Sequence, residues 1–139
     1  MAGDWTTREG VNSVRVDRAI AYGDKMAAIV NRTSDETWDC LLPMIDAERF
    51  VRRGNERSEM DWPTYRAMLD QWAMHSQKYE KRLHRASEVG DVVYLDLDER
   101  ATAADGSVSS LRSISIYQFD AADRIVAVDV CMGFHQPQS

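Results

Sequence analysis

The sequence is short of most features that would announce an activity. Its seven glycines are scattered, so no Gly-rich loop is present to cradle a phosphate. Two cysteines, Cys40 and Cys131, have neither metal nor redox spacing, and the histidines and carboxylates form no zinc motif with them. No metal and no cofactor are expected. The cysteines read as free thiols of a reducing cytoplasm, with a disulfide between them left open. Apolar runs stop at about five residues, far short of the roughly 20 that a membrane helix needs. The opening stretch MAGDWTTREG has no apolar segment of a secretory signal, so the expected location is cytoplasmic. Basic charge is also lacking: 17 Lys and Arg face 23 Asp and Glu, a net charge of −6. The one basic cluster, RFVRRGNER, is interleaved with Glu48, Glu56 and Glu59. A nucleic-acid partner wants a basic stripe, and none is here.

What is present is an ordinary globular composition, 44% hydrophobic and 29% charged over 139 residues. This length suits one domain, able to bury roughly two thirds of its unfolded surface. Residues 1–12 read as a loose tail and 13–135 as the domain. From about Val14 to Val30, the residues Val16, Ala19, Ile20, Gly23, Met26, Ala27 and Val30 recur at helical spacing on one face. Ser34 suits an N-cap for a short second helix that buries Trp38, Leu41 and Leu42 and is limited by Pro43. ERFVRRG alternates as a strand ended by Gly54, and NERSEM reads as a polar loop. Asp61 and Pro63 open a third helix with Trp62, Tyr65, Met68, Leu69, Trp72 and Ala73 on one stripe. This stripe reads first as core, and some of its large rings as cavity wall.

After His75 the period changes to two. QKYEKRLHRASE, GDVVYLDLDERATA, SVSSLRSISIYQFD and DRIVAVDVCMGF read as four strands, with Asp105–Gly106 as a hairpin signal. The order is three helices, a short strand between the second and third, then an antiparallel meander. This predicts an α+β fold with the helices on one face of a curved sheet. Such a cone holds a hollow, a common place for a ligand.

The chain resembles the nuclear transport factor 2-like superfamily, which includes SnoaL-like polyketide cyclases, ketosteroid isomerase and limonene epoxide hydrolase. SDETWDCLLPMIDAERFVRRG resembles its second helix and first strand, DWPTYRAMLDQW its third helix, and ISIYQFDAADRIVAVDV its terminal hairpin. The resemblance covers about residues 14–134. It implies a cone-shaped, cystatin-like α+β barrel, with a homodimer through the sheet as a common assembly. It also implies that Val126, Val128, Val130 and Met132 face the helices, as do Ser113, Ser115, Tyr117 and Phe119. Ile125, Ala127, Asp129 and Cys131 would then face outward. The scaffold itself carries many chemistries.

Ketosteroid isomerase-type catalysis needs a carboxylate in the first strand and a Tyr–carboxylic acid pair. Here the corresponding positions fall on Arg52 or Arg53, near Ser115, and near Met26 or Ala27, with Tyr22 a turn away. That chemistry is not expected. An epoxide-opening site needs two carboxylates and an Arg, and YLDLDERA resembles its Arg-x-Asp segment loosely. Asp96 and Asp98 share a strand face, read either as catalytic or as a solvated row paired with Arg100 or Arg112. Asp129 lies one residue out of register for the second carboxylate. His75 reads as a lyase-type base or as a helix cap, with Asp17 and Asp24 too early to partner it. His84 and His135 read as exposed.

Arg52, if it faces inward, would meet an anionic oxygen of a ligand. The candidate catalytic residues are thus Arg52, His75, Asp96 and Tyr117. The candidate ligand contacts are Trp38, Phe50, Trp62, Tyr65, Trp72, Ser115, Val128 and Met132. The expected activity is cofactor-free acid/base chemistry on a small, mostly apolar or aromatic molecule: cyclisation, isomerisation, dehydration or epoxide opening. The competing expectation is a non-catalytic ligand-binding or dimeric interaction module of the same fold.

Overall fold

The computed structural model describes residues 13–134, so the expected tail and His135 lie outside the described residues. Helix α1, Val14–Val30, starts where Ser13 caps it: the Ser13 hydroxyl accepts from the Val16 N–H at 3.1 Å. It buries Val16, Ala19, Tyr22 and Val30. The second helix is a 3₁₀ turn, Trp38–Met44, capped by Thr37 rather than Ser34. Ser34 instead closes a local turn with the Glu36 N–H. Pro43 sits inside this segment and supplies no N–H, which suits a short piece of tight helix. Trp38 and Leu41 are buried, while Leu42 points out. Helix α2, Trp62–Met74, is capped by Asp61 with Pro63 in its first turn, and buries Trp62, Tyr65 and Leu69.

Six strands follow this order in the sheet: β2 (Glu59–Met60), β1 (Val51–Arg53), β6 (Ile125–Phe134), β5 (Val108–Phe119), β4 (Val92–Ala103) and β3 (Ser76–Val89). The sheet is mixed, because β1 runs parallel to β6 while the other pairs are antiparallel. NERSEM, expected as loop, contributes β2. The β4–β5 connection spans four residues, 104–107, with Gly106 at φ +89°, where a side chain would be strained.

Alternation holds along β5, where Ser113, Ser115, Tyr117 and Phe119 are all buried on the inner face. In β6 it holds from Val128 onward and reverses before it. Tyr117 pairs with Val128 and Gln118 with Ala127, but Phe119 pairs with Ile125, leaving Val126 as the extra residue of a bulge. Ile125 therefore turns inward and is 0% exposed, the reverse of its expected outward direction, and Val126 is only partly buried.

One aromatic cluster fills the end of the core. Phe50 stacks on Tyr65 at 5.8 Å between ring centres and meets Trp62 edge-on at 5.6 Å. The outer face of the sheet carries charged pairs around half-buried Ile114 and Ile116. Among the described residues, no helix is long and apolar enough to cross a membrane.

Candidate functional site

Between α1, α2 and the concave face of the sheet lies a cavity of about 270 Å³. Leu83, Leu95, Leu97, Leu111, Val128 and Val130 give it an apolar wall, with Met68, Leu69 and Trp72 on the α2 side. Few polar groups enter it, and each is placed by strand alternation or by a helix crossing.

Glu99 extends the inner row of β4, Val93–Leu95–Leu97–Glu99, to its polar end. Tyr79 donates its hydroxyl to one Glu99 oxygen, and Ser113 donates to the other. These partners come from the two flanking strands: Tyr79 pairs in register with Ala101, and Ser113 with Leu97. Each therefore reaches Glu99 along a diagonal. Burial holds the Tyr79 phenol well above its ordinary range, and the charge and hydrogen bond of Glu99 push the same way.

Lys81 stands directly opposite Glu99 in the β3–β4 register. Its ammonium nevertheless turns to helix α1 and meets Asp24 at 2.7 Å. Gly23 permits this, since a Cβ there would lie 2.9 Å from the Lys81 Nζ.

Arg52 enters from β1 at the other end, in register with Val128, itself paired with Tyr117. Its guanidinium lies over the Tyr65 ring, 5.4 Å from the centre. Its Nε is buried without an acceptor, and among the described residues no carboxylate pairs with it. The Tyr22 hydroxyl is likewise buried, with the Tyr65 hydroxyl as its neighbour, and its ring is edge-on to Tyr117 at 5.8 Å. Burial raises the Tyr22, Tyr65 and Tyr117 hydroxyls. For Tyr65 the Arg52 charge opposes the rise, and for Tyr117 the negative surroundings add to it.

Of the residues singled out by sequence, Arg52, Tyr117, Tyr65, Trp72, Ser115, Val128 and Met132 line this cavity. Trp38, Phe50 and Trp62 are buried in the core beside it and do not line it. His75 is the exposed C-cap of α2, its N–H bonded to the Gln71 carbonyl at 3.1 Å. Asp96 faces outward and pairs with Arg112 at 3.1 Å, because it alternates with the inward Leu95 and Leu97. Asp98 pairs with His84 at 2.7 Å, and Asp129 with Arg53 at 3.2 Å, both on the same outer face. Glu99, Tyr79, Lys81 and the cavity role of Tyr22 were not anticipated. Continuing the apolar alternation of β4 by one step would have reached Glu99. No group of three or more His, Cys, Asp or Glu among the described residues is arranged to hold a metal ion.

No family model matches the chain. No characterised relative matches it in sequence either. Solved structures do match it in three dimensions. A nuclear transport factor 2-like protein of unknown function from Exiguobacterium sp. 255-15 superposes with a TM-score of 0.66 at 17% identity, covering 81% of this chain and 98% of that one. The chain has the nuclear transport factor 2-like fold. A SnoaL-like protein from Shewanella putrefaciens CN-32 shares the fold at TM-score 0.70 and 9% identity, covering 88% of this chain and 91% of its own. The epoxide hydrolase/cyclase-like enzyme SalBIII, with a role in pyran ring formation in the polyether salinomycin, shares it at 0.68 and 13% identity, covering 86% and 90%. The fold thus includes cyclase and epoxide hydrolase-like members. At these identities the likeness speaks for architecture, and the chemistry must come from the site.

Proposed function

We propose that the cavity is an active site performing cofactor-free general acid/base chemistry on a small, mostly apolar molecule, with Glu99 as the base. The observation that carries this reading is Glu99 itself: a carboxylate on an otherwise apolar inner strand row, oriented by hydroxyl donors on both sides. Orientation by two neighbours fixes the direction of proton transfer, and each carboxylate oxygen keeps a further lone pair for substrate. In the first half of the reaction Glu99 takes a proton from a carbon or hydroxyl of the bound molecule. The electron pair left behind moves onto a substrate oxygen facing Tyr117 and Tyr22, whose hydroxyls keep their protons and so donate hydrogen bonds. Glu99 then returns the proton at the position where the new bond or double bond requires it. Arg52 orients the ligand from the opposite end. Cyclisation and isomerisation both fit this sequence. The presence of a cyclase-like enzyme on the same fold is in keeping with it.

The expected outcome is measurable without the natural substrate. A panel of small apolar ketones, incubated with the protein in deuterated water, is followed by mass spectrometry for exchange beside the carbonyl. The wild type accelerates exchange for at least one member, and Glu99→Gln reduces that rate by about 10² to 10⁴. A Glu99→Gln protein that exchanges as fast as wild type would remove Glu99 from the mechanism. A wild type that accelerates none favours the non-catalytic binding module.

A further inference from the structure

Among the described residues two cations line the cavity, and they are in opposite states. Lys81 is neutralised by Asp24 at 2.7 Å, with 14% of its side chain exposed. Arg52 has no such partner among the described residues, and its Nε is buried without an acceptor. A guanidinium has five donors in a fixed fork that matches a carboxylate, and it cannot shed its charge to escape desolvation. Its packing on the Tyr65 ring and its interaction with the Tyr65 hydroxyl offset part of that cost and hold the fork still, without neutralising its charge. Gly54 leaves it room, since a Cβ there would come within 3.2 Å of Nη1. Each feature favours a partner that arrives from the cavity and carries negative charge.

Glu99 is offset from such a partner along the sheet, although its charge reaches Tyr65 and Tyr117. Arg52 is in register, through Val128 and Tyr117, with Val93 of β4, and Glu99 lies six residues farther along that strand. Between the two ends the wall is mostly apolar, with the hydroxyl-bearing Tyr22, Tyr117 and Ser115 set into it. We infer that the ligand of this cavity is an apolar acid, whose ionised carboxylate is held by Arg52 while its apolar body extends toward Glu99. This rests on the cavity being the ligand site proposed above and names its substrate class. At interior packing density, about 270 Å³ holds on the order of a dozen non-hydrogen atoms. The class is therefore a monocyclic or bicyclic aromatic acid, or a medium-chain acid.

The test compares three acids with their neutral amides by calorimetry at neutral pH: 2-naphthoate, cinnamate and octanoate. The protein has a net charge of −6, so its overall field disfavours anions, and a preference for the acid must come from the site. At least one acid binds tenfold or more tightly than its amide. Arg52→Met brings that ratio to about one, while Lys81→Met leaves it above tenfold. Arg52→Gln serves in place of a poorly folding Arg52→Met, and the wild-type ratio stands without either. The inference is overturned if the amides bind as well as the acids, if no acid binds at millimolar concentration, if the ratio survives the loss of Arg52, or if it vanishes with Lys81 instead. Failure of catalysis by Glu99 would leave this ratio untouched, so the two readings can fail separately.

Discussion

Arg52 and Arg53 are neighbours in the chain and opposites in their surroundings. Arg53 faces outward, where its guanidinium meets Glu59 at 3.0 Å and both oxygens of Asp129 at 3.2 Å. Arg52 faces inward and has no ionic partner among the described residues. Asp98 and Glu99 repeat the contrast on β4: Asp98 pairs with His84 on the outer face, while Glu99 is held by two hydroxyls inside. The outer face behaves as a solvated surface does. Its charges are matched locally, and each half-exposed pair contributes at most about 1 kcal/mol. The inner face keeps a guanidinium without an acceptor at Nε, a state that costs about 1–3 kcal/mol for a buried donor. Stability alone does not explain that arrangement, so the inner charges point to a ligand and the outer ones do not.

The largest expected effect sets one neighbour against the other on β4. Glu99→Gln lowers carbon-acid exchange by orders of magnitude, as argued above. Asp98→Asn, one residue away, changes it less than about twofold, because its partner His84 is outside the cavity. Equal losses in both variants would mean that Glu99 acts by supporting the strand.

The second effect concerns the inner hydroxyls. Burial raises Tyr22, Tyr65, Tyr79 and Tyr117 above the ordinary tyrosine value of 10.0. For a group raised on folding, the neutral form is favoured in the native state. The stability it contributes is complete below about pH 10 and is lost as pH rises beyond that. Thermal stability should therefore fall steeply above pH 10. The tyrosinate absorbance of these four residues should appear together with loss of the far-ultraviolet circular dichroism signal. Full ionisation of all four in a protein that keeps its native spectrum would show the inner face to be wet.

Much of this architecture was legible because its signals are local. The helical spacing around Val16, Ala19 and Val30 marks α1 with its observed ends, and Asp61 with Pro63 marks the start of α2. The inward row of β5 follows from simple alternation. The site was harder to see, for physical reasons that differ by residue. Asp96 and Asp98 draw attention as paired carboxylates, yet strand alternation sends both outward and leaves the inward position to Glu99. QKYEKRLHR is so polar that its inner row of Tyr79, Lys81 and Leu83 does not stand out. The bulge at Val126 has no glycine to announce it, and it reverses Ile125. His75 offers the same sequence signal as a base or as a cap, and only the fold shows that it is exposed at the end of α2.

A smaller effect, of opposite sign at the two arginines, tests the comparison directly. Arg53→Met removes bonds to Glu59 and Asp129 and should cost up to about 1 kcal/mol, discounted for exposure. Arg52→Met removes a buried donor without an acceptor and leaves a side chain that suits the apolar wall. It should raise stability by about 1 kcal/mol, net of the lost contact with Tyr65. Urea midpoints of the two variants give the signs. Destabilisation by Arg52→Met equal to that by Arg53→Met would remove the distinction between the two faces.

The smallest expected effect lies at Gly23, where stability and function should separate. A Cβ there would come within 2.9 Å of the Lys81 Nζ, the far end of a flexible side chain that can move aside. Alanine in a helix interior is favoured over glycine by up to about 1 kcal/mol, so Gly23→Ala should leave stability unchanged or slightly increased. The displaced ammonium loses its hold on Asp24, and its nearest cross-strand neighbour on the inner face is Glu99. An ion pair with Lys81 would occupy the Glu99 carboxylate and hold it away from the substrate proton. The variant should therefore lose several-fold in exchange rate at low salt and recover part of it as salt screens the pair. Unaltered exchange at low salt would show that Asp24 is not what keeps Lys81 away from the carboxylate.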